Sequence, residues 1–291
     1  MAIEKVGVLG CGLMGHGITQ ICAQNGWDVV VREVDQDKLD KGLAKIDKQL
    51  ARAVDKGKLE EADAKSVRDR IQGTLDYGDL AECDLVIEAI DEDLDQKLEM
   101  WRQVDEIVKD DAFFATNTSS LPVATQAGAT KRPERFLGLH FFNPPQVMPL
   151  LEVVRAEGTA DDAFDLGISL GEQLGKTTVA AGDNRGFIVN RLLVPYMLDA
   201  IRALEQGVGS VADIDRGMMA GASHPMGPLT LADYIGLDTL HAVMQVLHRE
   251  LGEDKYRPCP LLTKFVEAGW LGVKSGRGFY DYSQDPPKPM R

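Results

Sequence analysis

Cysteine is scarce and unpatterned in this chain: Cys11, Cys22, Cys83 and Cys259 include no C-x-x-C pair. That spacing argues against a zinc site and against a disulfide framework, and it fits a reducing cytoplasm. Positive charge is also short. Thirty-two Lys and Arg stand against 46 Asp and Glu, a formal net charge of −14, and such a field repels nucleic acid and anionic membrane surfaces. Any phosphate-bearing ligand must therefore meet local cations. Long apolar runs are missing too. None approaches bilayer length, and the first, VGVLG at 6–10, leads straight into a glycine motif rather than a signal-cleavage site. The expectation is a soluble, cytoplasmic protein that binds neither membrane nor nucleic acid, and 291 residues are enough for two cores.

Glycine, by contrast, is present in a pattern. KVGVLGCGLMGHGITQICAQNG places Gly10, Gly12 and Gly15 between a short apolar run and helical spacing of Ile18, Ile21 and Cys22. This predicts strand, tight turn and helix, with Gly10 permitting the turn, Gly12 letting a pyrophosphate approach and Gly15 allowing close packing. Leu13 and Met14 complete the predicted cofactor loop, and the helix N-terminus offers N–H groups to an anion. A second strand, DVVVREV at 28–34, brings Glu33 to where a ribose-binding acid is expected; the alternative is a carboxylate that merely ends a strand. Such an acid favours NAD over NADP, a preference that Arg32 next door could soften.

Leu39, Leu43, Ile46, Leu50 and Val54 recur at helical spacing, with Lys38, Lys41, Lys45, Lys48, Arg52 and Lys56 on another stripe. The basic stripe reads either as a place for ligand phosphates or as a solvated face. CDLVIEAI, DAFFATNTSSL and RFLGLHFF read as further strands, with Glu88 and Glu92 near the end of the first and DLDQKLEMWRQVDEIV as an intervening helix. Strands alternating with helices predict a doubly wound, mostly parallel α/β sheet of Rossmann type.

Polar residues follow the strands. Asn117, Thr118, Ser119 and Ser120 either cap the next helix or face substrate. In GLHFFNPPQVMPLLEVV, at 138–154, His140 ends a strand that Asn143-Pro144-Pro145 stops, and Glu152 lies in the next apolar run. A buried carboxylate is costly unless paired. The economical solution is that Glu152 meets His140, fixing the imidazole tautomer and stabilising its protonated form. His140 alone could equally be a satisfied core residue, and the nucleotide clasp upstream tips the balance towards a proton acceptor.

After the hinge GDNRG at 182–186 no further βαβ unit follows. FIVNRLLVPYMLDAIRALEQG and three shorter segments predict an all-helical second domain, so the boundaries are 1–183 for nucleotide binding and 184–291 for a helical, dimerising and cleft-forming domain. Asn190 falls in the first turn of the long helix, either as a cleft residue or as a plain helix position.

GCGLMG, NTSSL, HFFNPPQVMPLLEVV, GFIVNR, HPMGPL, DYIGLD and AGWLGVKSGRGFYDY together resemble the 3-hydroxyacyl-CoA dehydrogenase family, nearly end to end, and within it the stand-alone 3-hydroxybutyryl-CoA dehydrogenases. The resemblance implies NAD as cofactor, an acyl-CoA substrate, no metal, a homodimer and a place in fatty-acid or butanoate metabolism. It implies His140 as the catalytic histidine with Glu152 as its partner, Ser119 and Asn190 at the substrate oxygen, and Asn143 near nicotinamide and substrate. Glu33, Glu92, Lys97, Asn117 and Lys274 match cofactor contacts, and Lys48, Lys56 and Lys58 become candidates for coenzyme A. The chain departs from the family at Arg185, where proline is usual. Two rivals are a related gulonate-type hydroxy-acid dehydrogenase that works without coenzyme A, and a non-catalytic NAD-binding structural protein.

Overall fold

The computed structural model describes residues 3–290, and the chain divides into two units, 1–187 and 188–291. In the first unit the order is β1 (Lys5–Leu9), α1 (Gly15–Gln24), β2 (Asp28–Arg32), α2 (Gln36–Asp55), α3 (Glu61–Asp69) and β3 (Ile71–Thr74). There follow β4 (Leu85–Glu88), α4 (Leu94–Asp105), β5 (Phe113–Thr116), α5 (Val123–Ala127), β6 (Phe136–Phe141), β7 (Leu150–Arg155), α6 (Asp161–Gln173) and β8 (Thr177–Gly182). The eight strands form one sheet in the order β3-β2-β1-β4-β5-β6-β7-β8. Strands β1 to β6 pair in parallel, β7 runs antiparallel to β6, and β8 pairs parallel to β7. Chain order reverses at β1, which lies between β2 and β4, and open sheets of this kind bind ligands beyond the strand ends at such a point.

Alternation along each strand builds the two cores. Val6, Val8, Phe113, Ala115, Leu137 and Leu139 pack with Ile18, Leu39, Ile46 and Leu170 on one face. On the other, Val86, Phe114, Phe136 and Val154 pack with Met100, Trp101, Val104 and Phe187. Trp101 anchors that second face, with ring centroids 5.2 Å from Phe114 and 4.8 Å from Phe136, geometry that adds to the simple burial of apolar area. Side chains at every second position of β6 share a face, so His140 lies on the Phe136 side of the sheet.

The second unit comprises α7 (Val189–Glu205), α8 (Val211–Gly221), α9 (Pro228–Ile235), α10 (Leu237–Leu251) and α11 (Pro260–Glu267), with a small hairpin of β9 (Tyr280–Asp281) and β10 (Lys288–Pro289). Met197, Leu198, Ile201, Leu240, Met244, Leu247 and Phe279 form its core. Two buried carboxylates tie the C-terminal segment to the helices. Asp233 accepts the N–H groups of Phe279 and Tyr280 at 2.9 Å each, and Asp215 accepts the N–H of Leu229 at 2.8 Å and the hydroxyl of Tyr280 at 2.9 Å.

Candidate active site

The turn after β1 is shaped by backbone proximity. A Cβ on Gly10 (φ +94°) would lie 2.6 Å from the carbonyl of Ala89, and one on Gly15 only 1.9 Å from the carbonyl of Gly10, so neither position tolerates a side chain. Gly12 differs: nothing lies within 4 Å of where its Cβ would be. That open position is where a phosphate group can approach the chain. Helix α1 starts immediately behind, with no side-chain cap and no acidic residue in its first turn, which leaves its N-terminal dipole available to an anion. Leu13 is exposed and Met14 half-buried beside it.

Glu33 closes the neighbouring side of this turn. Its Oε1 accepts the N–H of Cys11 at 2.8 Å, and its Oε2 that of Val34 at 3.0 Å. The carboxylate is thus fixed against the glycine turn by the fold itself. Arg32 points into different company: its guanidinium lies 4.0 Å from the ring centroid of Tyr77 and donates to the carbonyl of Leu75 at 3.2 Å.

Along the same edge, β4 and β5 end beside an ion cluster built around a buried lysine. Lys97, from α4, places its ammonium 2.8 Å from both Glu88 and Glu92 and is 1% exposed. Burial opposes its charge, but the two carboxylates outweigh burial and hold the lysine above its ordinary range. Burial pushes Glu88 up in spite of Lys97. For Glu92 burial works in the same direction, yet Lys97 and the donors of the following loop prevail and hold it down. Those donors are the Thr118 hydroxyl at 2.5 Å, the Ser119 N–H at 3.0 Å, and the N–H and hydroxyl of Ser120 at 3.2 Å each. The loop's hydroxyls therefore gather on Glu92 rather than capping α5, whose first amides are held by Asp183 at 3.0 and 2.7 Å. Ser119 remains half-buried at the edge. Its neighbour Asn117 stitches β5 to β6, its Oδ1 accepting the N–H of Phe141 at 2.9 Å.

That N–H belongs to the residue after His140. The antiparallel register pairs His140 directly with Glu152, and cross-strand partners on one face bring their side chains together. His140 Nδ1 lies 2.6 Å from Glu152 Oε2, both side chains being buried. A carboxylate accepts only, so Nδ1 carries the hydrogen and Nε2 is left as the second ring nitrogen to accept a proton. Phe142 and Phe187 flank the imidazole, with ring centroids 4.6 and 5.4 Å away. Because β7 runs antiparallel, the early position of Glu152 in its strand and the late position of His140 in its own fall at the same sheet edge. From β1 to β6 is three strand spacings, about 14 Å.

The remaining sequence-derived candidates are placed as follows. Asn143 is exposed on the loop joining β6 to β7, and Lys48, Lys56 and Lys58 are exposed on and just beyond α2. Asn190 is the second residue of α7, and Lys274 pairs with Asp238 at 2.5 Å, both in the second unit. Sequence reasoning missed Asp183 as the cap of α5 and the role of Lys176, whose ammonium donates to the carbonyls of Pro145 and Met148 at 2.5 and 2.8 Å. Neither contact leaves a local signal, since the partners lie about thirty or more residues away.

Comparison with known proteins decides the family. Residues 5–184 match the model of the 3-hydroxyacyl-CoA dehydrogenase NAD binding domain, and residues 186–282 match that of the C-terminal domain. The chain belongs to the 3-hydroxyacyl-CoA dehydrogenase family. It is 47% identical to a 3-hydroxybutyryl-CoA dehydrogenase of Bradyrhizobium diazoefficiens, covering 99% of each chain. A 3-hydroxybutyryl-CoA dehydrogenase of Mycobacterium tuberculosis is also 47% identical, over 97% of this chain and 99% of that one. The solved structure of (S)-3-hydroxybutyryl-CoA dehydrogenase from Ralstonia eutropha superposes with a TM-score of 0.92 at 44% identity, covering 97% of this chain and 100% of that one. Membership makes the chain an oxidoreductase with an NAD-binding domain, and the open Gly12, the bare helix start and the anchored Glu33 are the features such a cofactor requires.

Proposed function

We propose that the protein interconverts (3S)-3-hydroxyacyl-CoA and 3-oxoacyl-CoA with NAD, acting on short chains such as 3-hydroxybutyryl-CoA. The observation that carries this reading is the 2.6 Å contact between His140 Nδ1 and Glu152 at the sheet edge that also bears the glycine turn. NAD, when bound, supplies the acceptor for the hydride. The protein's own part is proton management and orientation. In oxidation His140 takes the hydroxyl proton on Nε2, and Glu152 stabilises the imidazolium that results; in reduction the same proton returns to the oxygen. Ser119 and Asn190 are assigned the substrate oxygen, and Asn143 a place near both reactants. Gly12, Leu13, Met14 and Gly15 are assigned the pyrophosphate, Glu33 the ribose, and Glu92, Lys97, Asn117 and Lys274 the remaining cofactor contacts. Lys97 acts from beneath, through Glu92. The exposed lysines 48, 56 and 58 are assigned the phosphates of coenzyme A, which need local cations in a chain of this net charge.

Residues 1–183 form the NAD-binding part of this reading, and 184–291 the dimerising part. The apolar content of the second unit for its length is the ground for assigning it the interface of a homodimer, the commonest assembly of soluble oligomers. Four buried free thiols, with no helix among the described residues long and apolar enough to cross a membrane, support a cytoplasmic enzyme. The test follows nicotinamide absorbance against 3-oxoacyl-CoA substrates of increasing length, with NADH and NADPH in parallel. Turnover is expected to be greatest with acetoacetyl-CoA and NADH. Absence of turnover with every acyl-CoA would overturn the reading.

A further inference from the structure

Two glutamines far apart in sequence lie end to end between the glycine turn and the loop that follows His140. His16, in the first turn of α1, places Nδ1 2.6 Å from the carbonyl of Gly12. Its Nε2 meets Nε2 of Gln49, on α2, at 3.1 Å, and Oε1 of Gln49 accepts from Nε2 of Gln146 at 2.8 Å. Gln146 belongs to the loop that carries Asn143.

The polarity of this chain is set at one end. The Gly12 carbonyl can only accept, so Nδ1 of His16 must carry the hydrogen. Burial holds His16 below the ordinary histidine range and keeps it neutral, which leaves Nε2 as an acceptor. Gln49 must then present its amide nitrogen to His16 and its oxygen to Gln146. Gln146 in turn must present its nitrogen, and its own oxygen is left buried without a partner. That oxygen rests against α1, where a Cβ on Gly17 would lie 2.5 Å from it and 2.9 Å from the ring of Pro145. The loop is thus seated directly on the first turn of α1, and Lys176 holds two of its carbonyls.

We propose that Gln49, with His16 and Gln146, is a positioning residue of the reaction: a single hydrogen-bond chain holds the loop bearing Asn143 in register with the glycine turn. None of the three acts on the reacting atoms. Reacting groups misplaced by about 1 Å can lose about 100-fold in rate, and this loop is the direct covalent link between His140 and Glu152. The proposal rests on the dehydrogenase reading above for its kinetic consequence, but its geometry does not.

Three variants test it. Gln49→Leu and Gln146→Leu keep volume and remove the chain; Gln49→Glu keeps it in altered form, since a carboxylate accepts from both neighbours and draws a second proton onto His16. Either leucine variant is expected to lower kcat with acetoacetyl-CoA and NADH by about 10-fold, with NADH affinity changed less than about 3-fold and the two losses less than multiplicative in the double variant. Gln49→Glu is expected to recover most of the lost rate. In the cofactor-free protein, nitrogen NMR of His16 at neutral pH is expected to report the Nδ1–H tautomer in the wild type and the doubly protonated ring in Gln49→Glu. Wild-type kcat in both leucine variants would overturn the proposal, as would a glutamate variant no faster than leucine or an Nε2–H tautomer in the wild type. A wild-type enzyme inactive on every acyl-CoA would instead defeat the dehydrogenase reading while the NMR result stood.

Discussion

In the sheet unit the buried ammonium of Lys97 sits between the buried Glu88 and the partly exposed Glu92, whereas in the helical unit Asp215 and Asp233 are buried against amides and hydroxyls. Glu92 and Asp233 carry opposite electrostatic marks, while Glu88, enclosed more fully, is pushed up in spite of Lys97. Glu92, with a cation and several donors, is held below the ordinary carboxylate range despite burial. Asp233 is pushed up to about 6, by burial first and by the neighbouring Asp215 as a further cause, against the pull of the N–H groups and the Tyr282 hydroxyl that it accepts. Hydrogen bonds satisfy lone pairs in both places, but only at Glu92 do a cation and several donors together outweigh desolvation. The first arrangement suits an edge that must stay anionic and ordered beside a ligand, and the second suits a joint that merely holds a terminal segment in place.

The largest effect that would break this comparison comes from Lys97→Met. Removing the cation strands the buried Glu88 and takes the cation from Glu92, and breaking a buried ion pair from one side costs about 3–5 kcal/mol. Denaturant unfolding is expected to show a loss of that size, and a loss below about 1 kcal/mol would mean that the cluster is open to water.

A smaller effect sharpens the contrast. Folded Asp233 keeps its proton to about pH 6, while an unfolded aspartate releases it near 3.9. Between those values the folded chain binds more protons, so this group's contribution to stability is full below about pH 4 and disappears as pH rises through about 6. Acidification from pH 7 to 5 is therefore expected to raise the Tm of the wild type relative to Asp233→Asn by roughly 2–4 °C. An equal shift in both proteins would place Asp233 among ordinary, hydrated carboxylates. Glu92 has the reverse sign: its contribution is present above the usual carboxylate pKa and is lost as pH falls through its lower folded value.

How much of this was legible beforehand follows from the range of each interaction. The glycine turn and the parallel strands are local patterns, and the sequence shows them directly. The pairing of His140 with Glu152 is also legible, because an apolar strand, a proline stop and a second apolar strand force an antiparallel return that sets the two side by side. Helix α3 and strand β3 escape the sequence reading. EADAKSVRD has one buried residue, Val67, and IQGT is a four-residue edge strand with a polar middle, so neither carries a strong period. The hydroxyl cluster after β5 reads equally as a helix cap or a binding loop until Glu92 and Asp183 are seen to divide those tasks. Gln49 and Gln146 are unreadable for a different reason: 97 positions separate them, and an amide on a helix face carries no mark of its partner.

Proton transfer rests on the imidazole that Glu152 braces. Its most direct test is the rate of NADH oxidation by the His140→Gln variant with acetoacetyl-CoA, measured beside NADH binding to the same protein. The rate is predicted to fall by about 100-fold or more with binding altered less than about 3-fold. A variant that binds NADH and turns over at the wild-type rate would contradict the account.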